Sequence, residues 1–283
     1  MKRILVIYTG GTIGMVSTPS GYAPEKAAFH DLLDRIPELH AEGMPAWDIV
    51  DMEPLLDSSN ITVREWNAIG ALIADHYADY DGFVVLHGTD TMAYTASALS
   101  FMLRGNGKPV ILTGSQIPLC EIRNDARDNI ITSLLVAASD RIHEVCLYFG
   151  GKLLRGNRAI KYSADDLIAF ESPNYPALAD VGIAIRYNVP ALLPPGRGKF
   201  AFQPLKNIPI GVIKVFEGVL RRLAQRGTGT LICYYPSEAY TACLNLTPEV
   251  EHIDTIDCGD LFNGKDERER IEIYRLQDIE STG

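Results

Sequence analysis

Four short runs of uninterrupted apolar residues constrain this chain more than any other feature. They are Ile4-Leu5-Val6-Ile7-Tyr8, Phe83-Val84-Val85-Leu86, Pro109-Val110-Ile111-Leu112 and Val145-Cys146-Leu147-Tyr148-Phe149. A strand with one face in water alternates apolar and polar residues, whereas a strand covered on both faces is apolar throughout. These runs therefore predict parallel strands buried between two layers. Between them the apolar spacing changes to three or four residues. Residues 62–77 carry Trp66, Ile69, Leu72 and Ile73; residues 91–103 carry Ala98, Leu99, Met102 and Leu103; residues 124–138 carry Ile130, Leu134 and Leu135. Alternation of strands with helices of this kind predicts a wound, mostly parallel α/β sheet.

Three of the runs pass straight into polar segments, at residues 9–14, 87–91 and 113–116. In a parallel sheet such segments all leave from the carboxyl edge, where ligands bind. Segments far apart in sequence are thus expected to meet at one site.

Composition excludes several classes of function. A formal net charge of −10 argues against a nucleic-acid partner, which needs a basic surface to neutralise phosphates. The first apolar run is too short for a secretory leader and Thr9-Gly10 interrupts it, and no stretch is long and apolar enough to span a membrane. The cysteines, Cys120, Cys146, Cys233, Cys243 and Cys258, are odd in number and lack close pairs. Free thiols in a reducing, cytoplasmic compartment are expected. The six histidines show no HExxH-type spacing, so no metal and no cofactor are expected.

Residues 187–209 hold Pro190, Pro194, Pro195, Gly196, Gly198 and Pro204 and read as a linker between a domain at 1–186 and a second at 210–283. The second is expected to be smaller, with a strand at 210–216, a helix at 217–225 and a strand at 230–234. Residues 264–275 are charge-rich and predict a solvated helix or frayed tail.

Each polar segment has an architectural reading beside a chemical one. Thr9-Gly10-Gly11-Thr12-Ile13-Gly14 is either a tight turn or a loop presenting the hydroxyl of Thr12. Its glycine spacing is not that of a dinucleotide fingerprint. In His87-Gly88-Thr89-Asp90-Thr91, Asp90 or Thr91 can cap a helix, while Thr89 and Asp90 offer a hydroxyl and a carboxylate. Asp57-Ser58-Ser59-Asn60 is a turn and capping cluster or a set of ligands for a polar substrate. Lys161 is either a solvated charge or a base in a proton relay.

Taken together these segments resemble the bacterial-type L-asparaginases. The resemblance is carried by Tyr8-Thr9-Gly10-Gly11-Thr12-Ile13-Gly14-Met15 and Leu86-His87-Gly88-Thr89-Asp90-Thr91-Met92. It continues through Thr113-Gly114-Ser115-Gln116, Arg155-Gly156-Asn157-Arg158 and Ala169-Phe170-Glu171-Ser172-Pro173-Asn174, over roughly the first two-thirds of the chain. Asp57-Ser58-Ser59 looks like the cytoplasmic type I branch.

The resemblance implies that Thr12 attacks the side-chain amide of L-asparagine and forms a β-aspartyl ester. It implies a relay of Thr89, Lys161 and Asp90, and substrate binding by Asp57, Ser58, Ser59, Thr89 and Asp90. Tyr22, in a mobile loop at 17–24, would close over the substrate and help activate Thr12, with the choice of base between Tyr22 and the Thr89–Lys161 pair left open. Backbone N–H groups near Thr89 and Ser115 would stabilise the oxyanion. A homodimer or homotetramer with an allosteric site for asparagine is also implied. Beyond Leu220 the family pattern is lost: Glu217-Gly218 stands where a Pro-Gly pair is usual, so an incomplete or divergent C-terminal domain is expected. Two rivals remain at this stage, an amidohydrolase for glutamine and a non-catalytic or weakly active amino-acid-binding homologue.

Overall fold

The computed structural model describes residues 1–19, 21–196, 198–206, 230–236, 250–257 and 269–276. The chain divides into two units, Met1–Lys206 and Asn207–Gly283.

The first unit is built on an eight-stranded sheet. Its strands are β1 (Arg3–Gly10), β2 (Ala46–Leu56), β3 (Gly82–Leu86), β4 (Val110–Thr113), β5 (Val145–Phe149), β6 (Lys152–Arg155), β7 (Ala179–Val181) and β8 (Ile185–Tyr187). In space they run β8-β7-β6-β5-β4-β3-β1-β2. The pairings from β2 through β1, β3 and β4 to β5 are parallel, and those from β5 to β8 are antiparallel. All four apolar runs lie in strands of the parallel part, apart from Pro109, which stands just before β4.

Four helices cover the sheet: α1 (Lys26–Asp34), α2 (Val63–Asp75), α3 (Met92–Met102) and α4 (Ala126–Ala137). Alternate side chains of β1 enter opposite layers, as the two-residue period of a strand requires. Ile4, Val6 and Tyr8 pack with Phe29 and Leu33 of α1 and with Ile130 and Leu134 of α4. Leu5 and Ile7 pack with Ile69 and Ile73 of α2 and with Leu99 and Met102 of α3. Each such buried aliphatic side chain contributes about 1.5–3 kcal/mol. The helix expected at 62–77 starts at a capping box: the Thr62 hydroxyl accepts from Arg64 N, and the Glu65 carboxylate accepts from Thr62 N at 2.8 Å.

The sequence reading did not foresee α1, β2 or the hairpin of Met15–Thr18 with Gly21–Pro24. β2 forms the edge of the sheet, so its composition is mixed and Pro54 is tolerated near its end. Residues 198–206 belong to the first unit. Ala201–Phe202 pairs with Leu103–Arg104, and a Cβ at Gly70 would stand 2.5 Å from the Phe202 ring.

In the second unit the described residues form a three-stranded antiparallel sheet. Glu269–Leu276 lies between Thr230–Pro236 and Val250–Asp257. The strand expected at 230–234 is present. The solvated helix or frayed tail expected over 264–275 is corrected by the strand at 269–276. There Arg270, Ile271, Glu272 and Ile273 alternate with a two-residue period that the density of charge obscured. The strand expected at 210–216 and the helix at 217–225 lie outside the described residues.

Candidate active site

Four segments converge at the carboxyl ends of β1, β2, β3 and β4, and glycines let their backbones touch. A Cβ at Gly10 (φ 118°) would lie 2.5 Å from the Leu56 carbonyl oxygen, and one at Gly11 (φ 86°) 2.5 Å from Gly88 N. A Cβ at Gly88 would be 2.4 Å from Ser58 Oγ, and one at Gly114 2.3 Å from the His87 carbonyl oxygen. Any larger residue would force these segments apart. The three polar segments and the Asp57–Asn60 turn therefore do meet, at the edge where a wound sheet binds ligands.

Thr12 opens a short 3-10 turn, Thr12–Gly14, directly after β1. It is partly buried, and no side chain among the described residues hydrogen-bonds its hydroxyl. Three residues after β3 ends, Thr89 is buried while Asp90 is exposed. Lys161 joins them: its Nζ donates to Thr89 Oγ1 at 2.8 Å and to Asp90 Oδ1 at 2.9 Å. Lys161 is delivered by the two-residue strand Ile160–Lys161, paired antiparallel with Phe170–Glu171.

Because an ammonium only donates, Thr89 Oγ1 accepts from Lys161 and directs its own proton to Gln116 Oε1, 3.2 Å away. The amide orientation of Gln116 is fixed independently, since Nε2 donates to the carbonyls of Ala164 and Asp166 at 3.0 and 3.1 Å. The Asp125 carboxylate, at the start of α4, accepts from Gln116 N and Ile117 N, both at 3.0 Å. Neither Gln116 nor Asp125 was singled out for a role from sequence. Gln116 lay inside a recognised segment, but its partners are set by tertiary contact.

Asp57 caps the 3-10 turn Ser58–Asn60; its carboxylate accepts from Ser59 N at 3.0 Å, Ser59 Oγ at 2.8 Å and Asn60 Nδ2 at 3.1 Å. Within that turn and capping cluster the cap is thus Asp57. Ser58 is buried and Ser59 exposed. Thr91 occupies the position before α3, yet its hydroxyl donates to the Ser58 carbonyl at 2.7 Å, tying the 57–60 turn to the 87–91 segment. Ser115 is buried and its hydroxyl donates to the Ile117 carbonyl at 2.7 Å, leaving only its backbone for other work.

Tyr22 lies in the hairpin, opposite Ser17, and is half exposed. Its phenol donates to the Glu121 carboxylate, which raises the phenol above its ordinary range because that carboxylate favours the protonated form. The hairpin is braced on the same segment by Leu119 N to the Ile13 carbonyl at 3.2 Å and by Cys120 Sγ to the Met15 carbonyl at 3.3 Å.

His87, at the end of β3, is fully buried; burial lowers it to about 4, so it is neutral near pH 7. Its Nδ1 is 2.7 Å from the Gly88 carbonyl oxygen and its Nε2 2.9 Å from Thr95 Oγ1, which also accepts from Trp66 Nε1 at 2.9 Å. A carbonyl only accepts, so the Nδ1 carries the proton, and Thr95 donates to Nε2. No cluster of three or more His, Cys, Asp or Glu suited to a metal ion occurs among the described residues. No helix among them is long and apolar enough to cross a membrane.

Residues 3–192 match the family model described as asparaginase, N-terminal. L-asparaginase 1 of Escherichia coli (strain K12) is 51% identical over 219 residues, which cover 77% of this chain and 64% of that protein. L-asparaginase of Dirofilaria immitis is 39% identical over 242 residues, covering 77% of this chain and 41% of that protein. The crystal structure of L-asparaginase I from Vibrio cholerae O1 superposes with a TM-score of 0.73 at 43% identity, covering 80% of this chain and 69% of that one. The chain therefore spans less than two-thirds of the length of these two sequence relatives.

Proposed function

The chain belongs to the asparaginase family, and on that premise we propose that it hydrolyses the side-chain amide of L-asparagine to L-aspartate and ammonia through a Thr12 ester. The observation that carries this reading is the Lys161 ammonium bonded to both Thr89 and Asp90, on a segment whose Gly88 backbone abuts Gly11, the neighbour of Thr12. A threonine hydroxyl is a weak nucleophile and needs a base beside it. The place of these segments at the carboxyl edge of the sheet supports such a neighbourhood.

In this reading Thr12 Oγ1 attacks the amide carbon, and its proton passes to Thr89 Oγ1 of the Thr89–Lys161 pair as the Thr89 proton moves on to the leaving nitrogen. The pair is favoured over Tyr22 as base because the Tyr22 phenol is committed to Glu121 in this conformation. The C–N bond breaks as the leaving nitrogen takes a proton, releasing ammonia. Water then attacks the ester carbon, regenerating the Thr12 hydroxyl and leaving aspartate. The N–H of Thr89 and a backbone N–H near Ser115 face the developing oxyanion. Asp90, the exposed carboxylate, receives the substrate ammonium, and Asp57, Ser58 and Ser59 hold its α-amino and α-carboxylate ends. Homo-oligomer formation, regulation by free asparagine and a cytoplasmic setting accompany this reading as expectations from the family.

The test is ammonia release from purified protein across an asparagine series, with glutamine as the competing amide. Turnover is expected with asparagine and is expected to fall to background in Thr12→Ala. Ammonia release by Thr12→Ala at the parent rate would falsify the reading, and preference for glutamine would move the substrate to its homologue.

A further inference from the structure

Thr89 offers the site an N–H as well as a hydroxyl. That N–H has no hydrogen-bond partner among the described residues, although Thr89 is only 7% exposed. A backbone donor on a residue this little exposed is seldom left orphaned, so this one is free for something the site receives. What aims it is the preceding carbonyl. The peptide between Gly88 and Thr89 is planar and trans, so the Gly88 C=O and the Thr89 N–H point in opposite directions. The carbonyl is held inward, toward the core, by His87 Nδ1 at 2.7 Å. The N–H is therefore turned outward, away from the core.

The imidazole is itself held from behind. Trp66 of α2 donates to Thr95 of α3, and Thr95 donates to His87 Nε2. Trp66 Nε1 can only donate, which leaves the single Thr95 proton for the histidine. This chain selects one tautomer, with the proton on Nδ1, where it meets the Gly88 carbonyl. At the other end, His87 N donates to the Thr113 carbonyl at 2.8 Å, fastening the residue to β4. Neither His87 nor Thr95 touches a group assigned to the chemistry.

We propose that His87 is a positioning residue: through its Nδ1–H it locks the Gly88–Thr89 peptide so that the Thr89 N–H faces the reacting carbonyl. The inference rests on the amide-hydrolysis reading for what that N–H binds, but not for how the peptide is oriented.

Two substitutions separate the two nitrogens. In His87→Asn the amide NH2 can stand in for Nδ1, two bonds from Cβ, and can still reach the Gly88 carbonyl. In His87→Gln the amide NH2 stands in for Nε2 and leaves that carbonyl unheld. Both are polar replacements at one buried position, so general damage to the core affects them alike.

Labelling the full chain with 1-13C-glycine and 15N-threonine makes only Gly–Thr peptides visible, and the sequence has four, at 11–12, 88–89, 227–228 and 229–230. The 88–89 resonance is expected to stay near its parent position in His87→Asn and to move in His87→Gln. In parallel, kcat for asparagine is expected to fall about 10- to 100-fold in His87→Gln with KM little changed, and to recover most of that loss in His87→Asn. A Gly88–Thr89 resonance unmoved in His87→Gln, or equal effects of the two variants on kcat, overturns the proposal. If the parent releases no ammonia, the amide-hydrolysis reading falls while the resonance still decides the role of His87.

Discussion

The buried histidine makes a quantitative demand on the acid stability of the first unit. Burial lowers His87 from 6.5 to about 4. The unfolded chain therefore takes up a proton at this residue below about 6.5, while the folded chain does not until about 4. The contribution of His87 is complete above 6.5 and is lost as pH falls through that window. A gap of about 2.5 pH units at 1.36 kcal/mol per unit amounts to about 3 kcal/mol. The carboxylates of the unit also titrate here, so the effect has to be read as a difference between two proteins. Trp47 and Trp66 are the only tryptophans, and Trp66 is in the hydrogen-bond chain behind His87. In a Trp47→Phe background, Trp66 fluorescence then reports urea unfolding of this unit alone. Stability is measured from pH 7.5 to 4 with His87 present and with His87→Asn, which does not titrate. The protein with His87 is expected to lose about 3 kcal/mol more than the variant between pH 6.5 and 4. A difference between the two that stays constant over that range refutes the argument, because it means that His87 takes up its proton alike in both states.

Two further perturbations test other parts of the framework. Gly11→Ala places a Cβ 2.5 Å from Gly88 N at a φ of 86°, so the nucleophile loop must move. A stability loss of about 1–3 kcal/mol and a fall in kcat of about 100-fold are expected by thermal melting and ammonia release; parent-like kcat would mean that the Gly11–Gly88 approach is not needed. Arg155→Met strands the Glu144 carboxylate, 5% exposed and 2.6 Å from Arg155 Nε, and is expected to cost about 3–5 kcal/mol. Adding Glu144→Gln is expected to recover part of that loss in denaturant unfolding, and no recovery would place the cost in lost packing.

The parallel part of the sheet was legible because burial on both faces leaves a composition that a half-exposed strand does not have. β3, β4 and β5 are buried at every position. β2 was not legible for the converse reason: an edge strand in which Asp48, Asp51 and Glu53 interrupt the apolar residues has no such composition. The antiparallel strand at 269–276 was hidden by its charges, although over 270–273 charged and apolar residues alternate as they do in a strand. Thr12, Thr89 and Asp90 stood out in the sequence because each lies in a short polar segment that follows a buried strand, and Lys161 because it comes just after the Arg155-Gly156-Asn157-Arg158 motif; their roles are those proposed above. Tyr22 was named as well, but its partner Glu121 lies 99 residues away and carries no local signal.

The residues that escaped notice all act on residues that did not. Gln116 holds the proton of the Thr89 hydroxyl, and Asp125 holds Gln116. His87 holds the carbonyl before the Thr89 N–H, and Thr95 with Trp66 holds His87. One threonine is thus fixed twice, at its hydroxyl by the segment leading into α4 and at its amide by α2 and α3, from opposite layers of the sheet. A motif can mark Thr89 as an atom donor because it is written in five consecutive residues. It does not say which way either group points, because the neighbouring His87 is itself oriented by Thr95 and Trp66, and the hydroxyl by Gln116, residues 6 to 27 positions from Thr89 that share no spacing rule. The direction of a proton is a tertiary property, and at this site two hydrogen-bond chains from opposite layers of the sheet bear on it.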